Sequence, residues 1–442
     1  MKRTAYQSLL YWKERADRKP LVVDGARQVG KTWLLQTFGR SEYEKLAYFE
    51  LDRNIEARHV FEAGGTCDEL LRKLSALAEV DITPGNTLIV LDEVQDCPAA
   101  LSALKFFCEE APAFHIAVAG SLLGLSIHGQ TSFPVGKIDV LRLFPMTFLE
   151  FLQAVGRTKL AKALEQCDWE IANTLSGTYT DLLRQYYYVG GMPNVVKTYV
   201  ETNNLQAVRE LQHRILADYE MDFSKHAPAG EVPRIRMVWQ SIPAQLAKEN
   251  KKFTYGALQK SARAAAFEMA IQWLMDAGLV YKICRTNAVK MPLKFYEDSQ
   301  VFKLFMLDVG LLGAMVDAPA AAVLIGNNIF SEYKGAFTEN YVCTQWQGTG
   351  LPLYYYSEQG SRIELDFVTQ IGAEVIPVEV KAEENTKAKA LKTFLQKYPH
   401  LRALRLMMKP HEVQERMETI PLYAAREALQ AKGASTTQGA IQ

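Results

Sequence analysis

The stretch Gly25-Ala26-Arg27-Gln28-Val29-Gly30-Lys31-Thr32 decides the fold. It matches G-x-x-x-x-G-K-[ST], and its flanks complete the pattern. An apolar run (Leu21, Val22, Val23) precedes it as a strand, and a helical pattern opens at Trp33. Glycines let a backbone wrap phosphate oxygens, and a helix N-terminus offers free N–H groups and a positive dipole. The spacing therefore predicts a phosphate cradle from Gly25 to Trp33. Lys31 reaches the β- and γ-phosphates, and the Thr32 hydroxyl holds Mg²⁺.

Working outward, four β-rich runs alternate with helical patterns up to residue 150: PLVVDG, KLAYFELD, NTLIVLDE and HIAVAG. This alternation predicts an α/β unit, a parallel sheet with helices on both faces. The strand Thr87–Leu91 ends in Asp92-Glu93. Asp92 is placed to anchor Mg²⁺ and Glu93 to orient the attacking water of a nucleoside triphosphate hydrolase. Ser121, after His115–Ala119, reads either as a γ-phosphate sensor or as a helix N-cap. Arg27, Arg142 and Arg184 are equivalent candidates for an arginine finger.

The composition is that of a globular, multidomain chain: 442 residues, 48% hydrophobic, 23% charged, with zero formal net charge. That balance argues against a globally basic nucleic-acid binder and leaves room for a local patch. Six scattered cysteines without C-x-x-C spacing read as reduced thiols in a cytoplasmic protein. No stretch is long and apolar enough for a bilayer, so no membrane association is expected.

The remaining patterns divide the chain. Residues 1–150 read as the nucleotide-binding core, 151–230 as a helical lid, 231–324 as a winged-helix-like domain, 325–425 as a second α/β domain, and 426–442 as a disordered tail. Within 231–324, Lys248, Lys251, Lys252, Lys260 and Arg263 lie near Phe253 and Tyr255, a pattern able to hold phosphates.

GARQVGKT, LIVLDEVQDCP, AGS, FPMTFLEF and YYYVGGMPNVV together resemble the prokaryotic AAA-type P-loop ATPases that carry a C-terminal domain of unknown function 4143. The likeness spans about residues 5–420. Ala26 stands where that family usually has Pro, and Leu122 where a second Ser is frequent. The resemblance implies ATP with Mg²⁺ as cofactor and an ATPase activity. By likeness to the G-x-P element of related signalling ATPases, Pro193 would touch the adenine or serve as a helix-breaking turn.

The stretch Ile376–Ala382, IPVEVKA, raises a second site. A turn at Gly372-Ala373 places Asp366 opposite Glu379 and Glu364 opposite Lys381, all on one sheet face. The spacing D-x₁₂-E-x-K, with Glu339 on the preceding helix, is similar to the PD-(D/E)xK signature of restriction-endonuclease-like folds. It predicts Asp366, Glu379 and Glu339 as ligands of Mg²⁺ or Mn²⁺, with Lys381 as the catalytic ammonium. The alternative is a solvated hairpin with a Glu364–Lys381 cross-strand pair. The sequence thus reads as an ATPase coupled to a DNA-binding or nuclease-like domain. The rival reading is a nucleotide switch that binds DNA, a protein partner or a second copy of the chain, with an inert end domain.

Overall fold

The computed structural model describes residues 1–120, 136–259, 263–325, 331–358, 363–382 and 389–429. Two compact units emerge. One comprises Lys2–Phe144 with Asp276–Gly278; the other comprises Pro145–Met275 and the chain from Leu279 onward.

The first unit is built on five parallel strands in the order β2-β3-β4-β1-β5. These are β1 (Leu21–Asp24), β2 (Lys45–Glu50), β3 (Thr87–Asp92), β4 (His115–Ala119) and β5 (Asp139–Arg142). β1, β3 and β4 are buried along their whole length, which is why they read as continuous apolar runs. Val22, Phe49, Ile89, Leu91 and Val118 form the core of one face with Phe61, Leu70, Leu74 and Leu104 of the covering helices. The helix Cys67–Ala78 starts on a capping box between Thr66 and Glu69. The four strands read from the sequence are present. β5 escaped that reading because it is short and bears charge at both ends.

The second unit begins with helices, from Phe148–Ala154 through Leu205–His226, and continues with Val232–Leu246 and Ala264–Asp276. An eight-stranded mixed sheet follows, ordered β12-β13-β11-β10-β9-β8-β6-β7. Its strands are β6 (Val280–Thr286), β7 (Glu297–Met306), β8 (Leu353–Ser357), β9 (Glu364–Ile371), β10 (Glu374–Lys381), β11 (Ala403–Met407), β12 (Glu412–Val413) and β13 (Met417–Pro421).

Two readings change here. The hairpin β6–β7, taken from sequence as the end of a separate domain at 231–324, is one edge of this sheet. β6 pairs in parallel with β8, so the 324/325 boundary crosses a continuous layer. The cause is non-local strand pairing, which local pattern does not carry. The tail also starts later than 426: Glu427, Ala428 and Leu429 are buried, and of the tail the residues from 430 lie outside the described part.

Candidate functional site

The phosphate-loop geometry follows from its residues. β1 ends at Asp24, and Gly25 takes φ +149° with its α-carbon close against the Leu143 carbonyl. A Cβ there would sit 2.3 Å from that oxygen, so only glycine fits. Gln28 and Gly30 also take positive φ, 65° and 93°, and the helix Lys31–Glu42 starts directly after. Ala26 and Val29 are buried, Arg27, Gln28 and Thr32 half-buried, and Trp33 exposed.

Lys31 is buried, and its Nζ donates to the carbonyls of Gly25 (2.7 Å) and Ala26 (2.8 Å). Burial lowers its pKa to about 8, although Asp24, Glu93 and Asp92 oppose the shift. The ammonium is thus desolvated against neutral oxygens, where an incoming phosphate gains the most from it.

Asp92 ends β3 and is 3% exposed. Its Oδ1 accepts the Glu93 N–H at 3.0 Å and its Oδ2 accepts the Tyr48 hydroxyl at 2.9 Å. Burial and the adjacent Asp92 raise the Tyr48 pKa, so the phenol stays a donor. Sequence reasoning missed Tyr48 because the β2–β3 pairing that delivers it is tertiary. Glu93 adopts φ 51°, a left-handed conformation that only fixed surroundings sustain in a non-glycine residue, and Gln95 Nε2 donates to its Oε2. β4 lies between β1 and β3. The loops after β1 and β3 therefore meet at the carboxyl edge of the sheet, where ligands of open parallel sheets bind. Ser121, read as a sensor, lies outside the described residues.

The arginines sort themselves out. Arg142 places Nε and Nη2 on Asp24 Oδ2 at 3.1 and 2.9 Å, which makes it an internal brace of β1. Arg184 pairs with Asp181 at 3.4 Å.

In the second unit, Pro193 opens the helix Pro193–Thr202. The preceding glycines have a packing cause. Asp308 accepts N–H groups from Gly191 (2.6 Å) and Leu311 (2.9 Å), and a Cβ on Gly191 would lie 2.1 Å from the Met146 carbonyl.

The hairpin register at IPVEVKA is the one read from its turn: Ile371 faces Glu374 and Phe367 faces Val378, with Gly372 at φ +57°. One step beyond, Asp366 Oδ2 accepts the Val380 N–H at 2.7 Å. Among the described residues, no group of three His, Cys, Asp or Glu side chains is placed to hold a metal ion.

Lysines take the carboxylates instead. Lys251 meets Glu339 at 2.8 Å, and Lys303 meets Glu364 at 2.9 Å and Glu339 at 3.5 Å. Lys381 meets Glu379 at 3.0 Å, not Glu364. Burial opposes the charge on Lys303, but Glu339 and Glu364 hold its pKa above the usual lysine range. Glu339 is kept below the usual carboxylate range: Lys303 and Lys251 outweigh its burial. Burial, with Glu339 alongside, pushes Asp366 up to about 7. Four carboxyls thus face three ammoniums, and Asp366, the one without an ammonium partner among those pairs, is the one whose pKa burial raises toward neutrality.

Reading Glu339, Asp366 and Glu379 as shared ligands missed Lys303 and Lys251, which arrive from β7 and from the segment after the helix Val232–Leu246. The basic patch suffers in the same way. Lys251 is consumed by Glu339, Lys248 donates to Gln245 and Thr254, Phe253 is buried, and Lys260 lies outside the described residues.

A phosphate loop, an acidic strand end and a five-stranded parallel sheet define the first unit as a P-loop nucleoside-triphosphatase fold. The N-terminal side of the chain matches an AAA domain and the C-terminal side a domain of unknown function, DUF4143. The family models match residues 17–152 (AAA domain) and 334–425 (DUF4143), and a further domain of unknown function, DUF8612, matches 180–322.

Among solved structures, the chain is similar to the Walker-type ATPase Paby2304 of Pyrococcus abyssi. Identity is 13%, with 71% of this chain and 95% of that chain covered, at a TM-score of 0.46. It is also similar to the Aeropyrum pernix ORC1 protein solved in complex with DNA (14% identity, 72% and 92% covered, TM-score 0.27). Cdc6p from Pyrobaculum aerophilum gives 12% identity, 74% and 96% covered, and a TM-score of 0.27. No curated protein matches the sequence significantly. Among the described residues, no helix is long and apolar enough to cross a membrane.

Proposed function

We propose that the protein is a Mg²⁺-dependent ATPase acting as a nucleotide switch, in which the second unit engages a protein partner and the PD-(D/E)xK-like cluster is inert. The observation that carries the ATPase reading is the buried, carbonyl-held Lys31 at the carboxyl edge of the sheet that also bears Asp92-Glu93. In this reading the Gly25–Trp33 segment wraps the phosphates. Thr32 and Asp92 hold Mg²⁺, the latter while accepting the Tyr48 hydroxyl. Glu93 orients the attacking water and Ser121 senses the γ-phosphate.

Two observations favour the inert end domain and a protein partner. Glu339, Glu364 and Glu379 each have an ammonium within 3.0 Å, which leaves little negative charge to attract a divalent cation. The helix Ala264–Asp276, which precedes the β6–β7 hairpin, contains no Lys or Arg. It exposes Glu268, Met269 and Gln272, a poor surface for DNA phosphates.

The test is calorimetric titration of ATP with Mg²⁺. Wild type binds, and Lys31→Ala weakens binding by roughly two orders of magnitude or more. Equal affinities would remove the phosphate-site reading. DNA binding that survives high salt, or DNA cleavage in Mn²⁺, would restore the nucleic-acid reading.

A further inference from the structure

Arg3 precedes the first helix (Ala5–Glu14) and is buried. Its guanidinium spans two carbonyls far apart in sequence. Nη1 donates to Val29 at 2.8 Å, and Nη2 donates to Phe144 at 2.6 Å. Val29 is the residue before Gly30 in the phosphate loop.

A trans peptide points its C=O and the next residue's N–H in opposite directions. Holding the Val29 oxygen toward Arg3 therefore turns the Gly30 N–H the other way, away from Arg3. Gly30 sits at φ +93° and tolerates either sign of φ, so the peptide before it rotates more freely than one before a residue with a Cβ. Rotated, it would present an oxygen to an anion.

The second carbonyl matters as well. Residues 142–144 are already laced to the start of the loop. The Leu143 N–H donates to the Asp24 carbonyl at 2.7 Å, Arg142 clasps Asp24, and Gly25 packs on the Leu143 carbonyl. Arg3 ties the far end of the loop to the same segment.

We infer that Arg3 is a positioning residue for the phosphate loop, fixing the Val29–Gly30 peptide so that its N–H is available to the nucleotide. The inference rests on the ATP-binding reading above. Bound nucleotide selects the correct peptide orientation, so loss of Arg3 reduces the fraction of competent loops and acts on affinity more than on turnover at saturation.

The experiment compares wild type, Arg3→Lys and Arg3→Ala for binding of ATP and of pyrophosphate, and for KM and kcat of hydrolysis. Arg3→Ala raises Kd for both ligands and KM by about 10- to 100-fold, with kcat changed by less than about threefold. Arg3→Lys falls between, because a single ammonium cannot span both carbonyls, and it covers the case in which Arg3→Ala fails to fold. Guanidinium at a sub-denaturing concentration restores affinity to Arg3→Ala. A lowered melting temperature with unchanged Kd and KM in both variants overturns the role of Arg3 and leaves the nucleotide reading standing. A wild type that binds neither ligand overturns both.

Discussion

The loop at Lys31 and the hairpin at Lys381 use the same residue types and prepare them in opposite ways. Lys31 faces two neutral carbonyls, and burial lowers its pKa to about 8. The nearby carboxylates are engaged elsewhere: Asp24 by Arg142, Asp92 by Tyr48 and the Glu93 amide. Around Lys381, charges meet charges. Lys303 is fully buried between Glu339 and Glu364, and Lys381 rests on Glu379. A site that keeps a desolvated cation short of counter-charge is built to receive an anion. A site whose charges are already matched is built to hold elements together, and it breaks badly when one partner is removed.

The largest effect that could break this contrast is on stability. Replacing Lys303 with Met removes the ammonium that half-buried Glu364 and buried Glu339 share, and leaves Glu339 with Lys251 alone. Lys303→Met is expected to cost about 3–5 kcal/mol in urea unfolding, with ATP affinity of the folded protein unchanged. Lys31→Ala, by contrast, removes a cation that burial disfavours and leaves the unfolding midpoint level or higher. Equal destabilisation by both would erase the distinction.

Next in size is turnover. Glu93→Gln keeps the shape and removes the water-orienting carboxylate. It is expected to lower kcat by roughly 10²- to 10³-fold while nucleotide affinity is retained. Hydrolysis at the wild-type rate would leave Asp92 and Glu93 as a mere strand end.

Acidity sharpens the comparison further. Lys31 has its pKa lowered to about 8 in the free protein, so above that pH the amine is increasingly neutral. Binding a phosphate then requires uptake of a proton. ATP affinity is expected to be flat below pH 8 and to fall with rising pH above it, by at most about tenfold per unit. Titrations at pH 7, 8, 9 and 10 measure the slope, and a flat profile would mean that Lys31 is not the phosphate ligand.

The smallest effect concerns the hairpin itself. Asp366 has its pKa pushed to about 7, so Asn resembles the protonated form already present near neutrality. Asp366→Asn is expected to change stability by no more than about 1 kcal/mol. Nucleotide-free wild type and mutant should melt alike with and without Mn²⁺. A Mn²⁺-dependent rise in Tm confined to wild type would reinstate the cation site.

Much of the first unit was legible because its signals are local. GARQVGKT places glycine and lysine where backbone and helix geometry demand them, and four buried strands announce themselves as apolar runs. The hairpin register from Glu374 to Val378 was legible for the same reason: Gly372 fixes the turn, and a turn fixes which residues face each other. Tyr48 under Asp92, Arg3 across Val29 and Phe144, and β6 joining β8 were not legible. Each depends on residues brought together from distant parts of the sequence.

The sequence by itself therefore determined the phosphate loop, its parallel sheet and the hairpin register from Glu374 to Val378, since these follow from turn chemistry, periodicity and glycine conformation. Tertiary structure alone decided what Glu339 and Glu364 meet. D-x₁₂-E-x-K is compatible with a metal or with ammoniums. Lys303, more than sixty residues before Glu364, and Lys251, almost ninety before Glu339, arrive only when the sheet closes. Electrostatic pairing acts through space at a few ångströms, and a linear pattern carries no record of which distant charge will fill that distance.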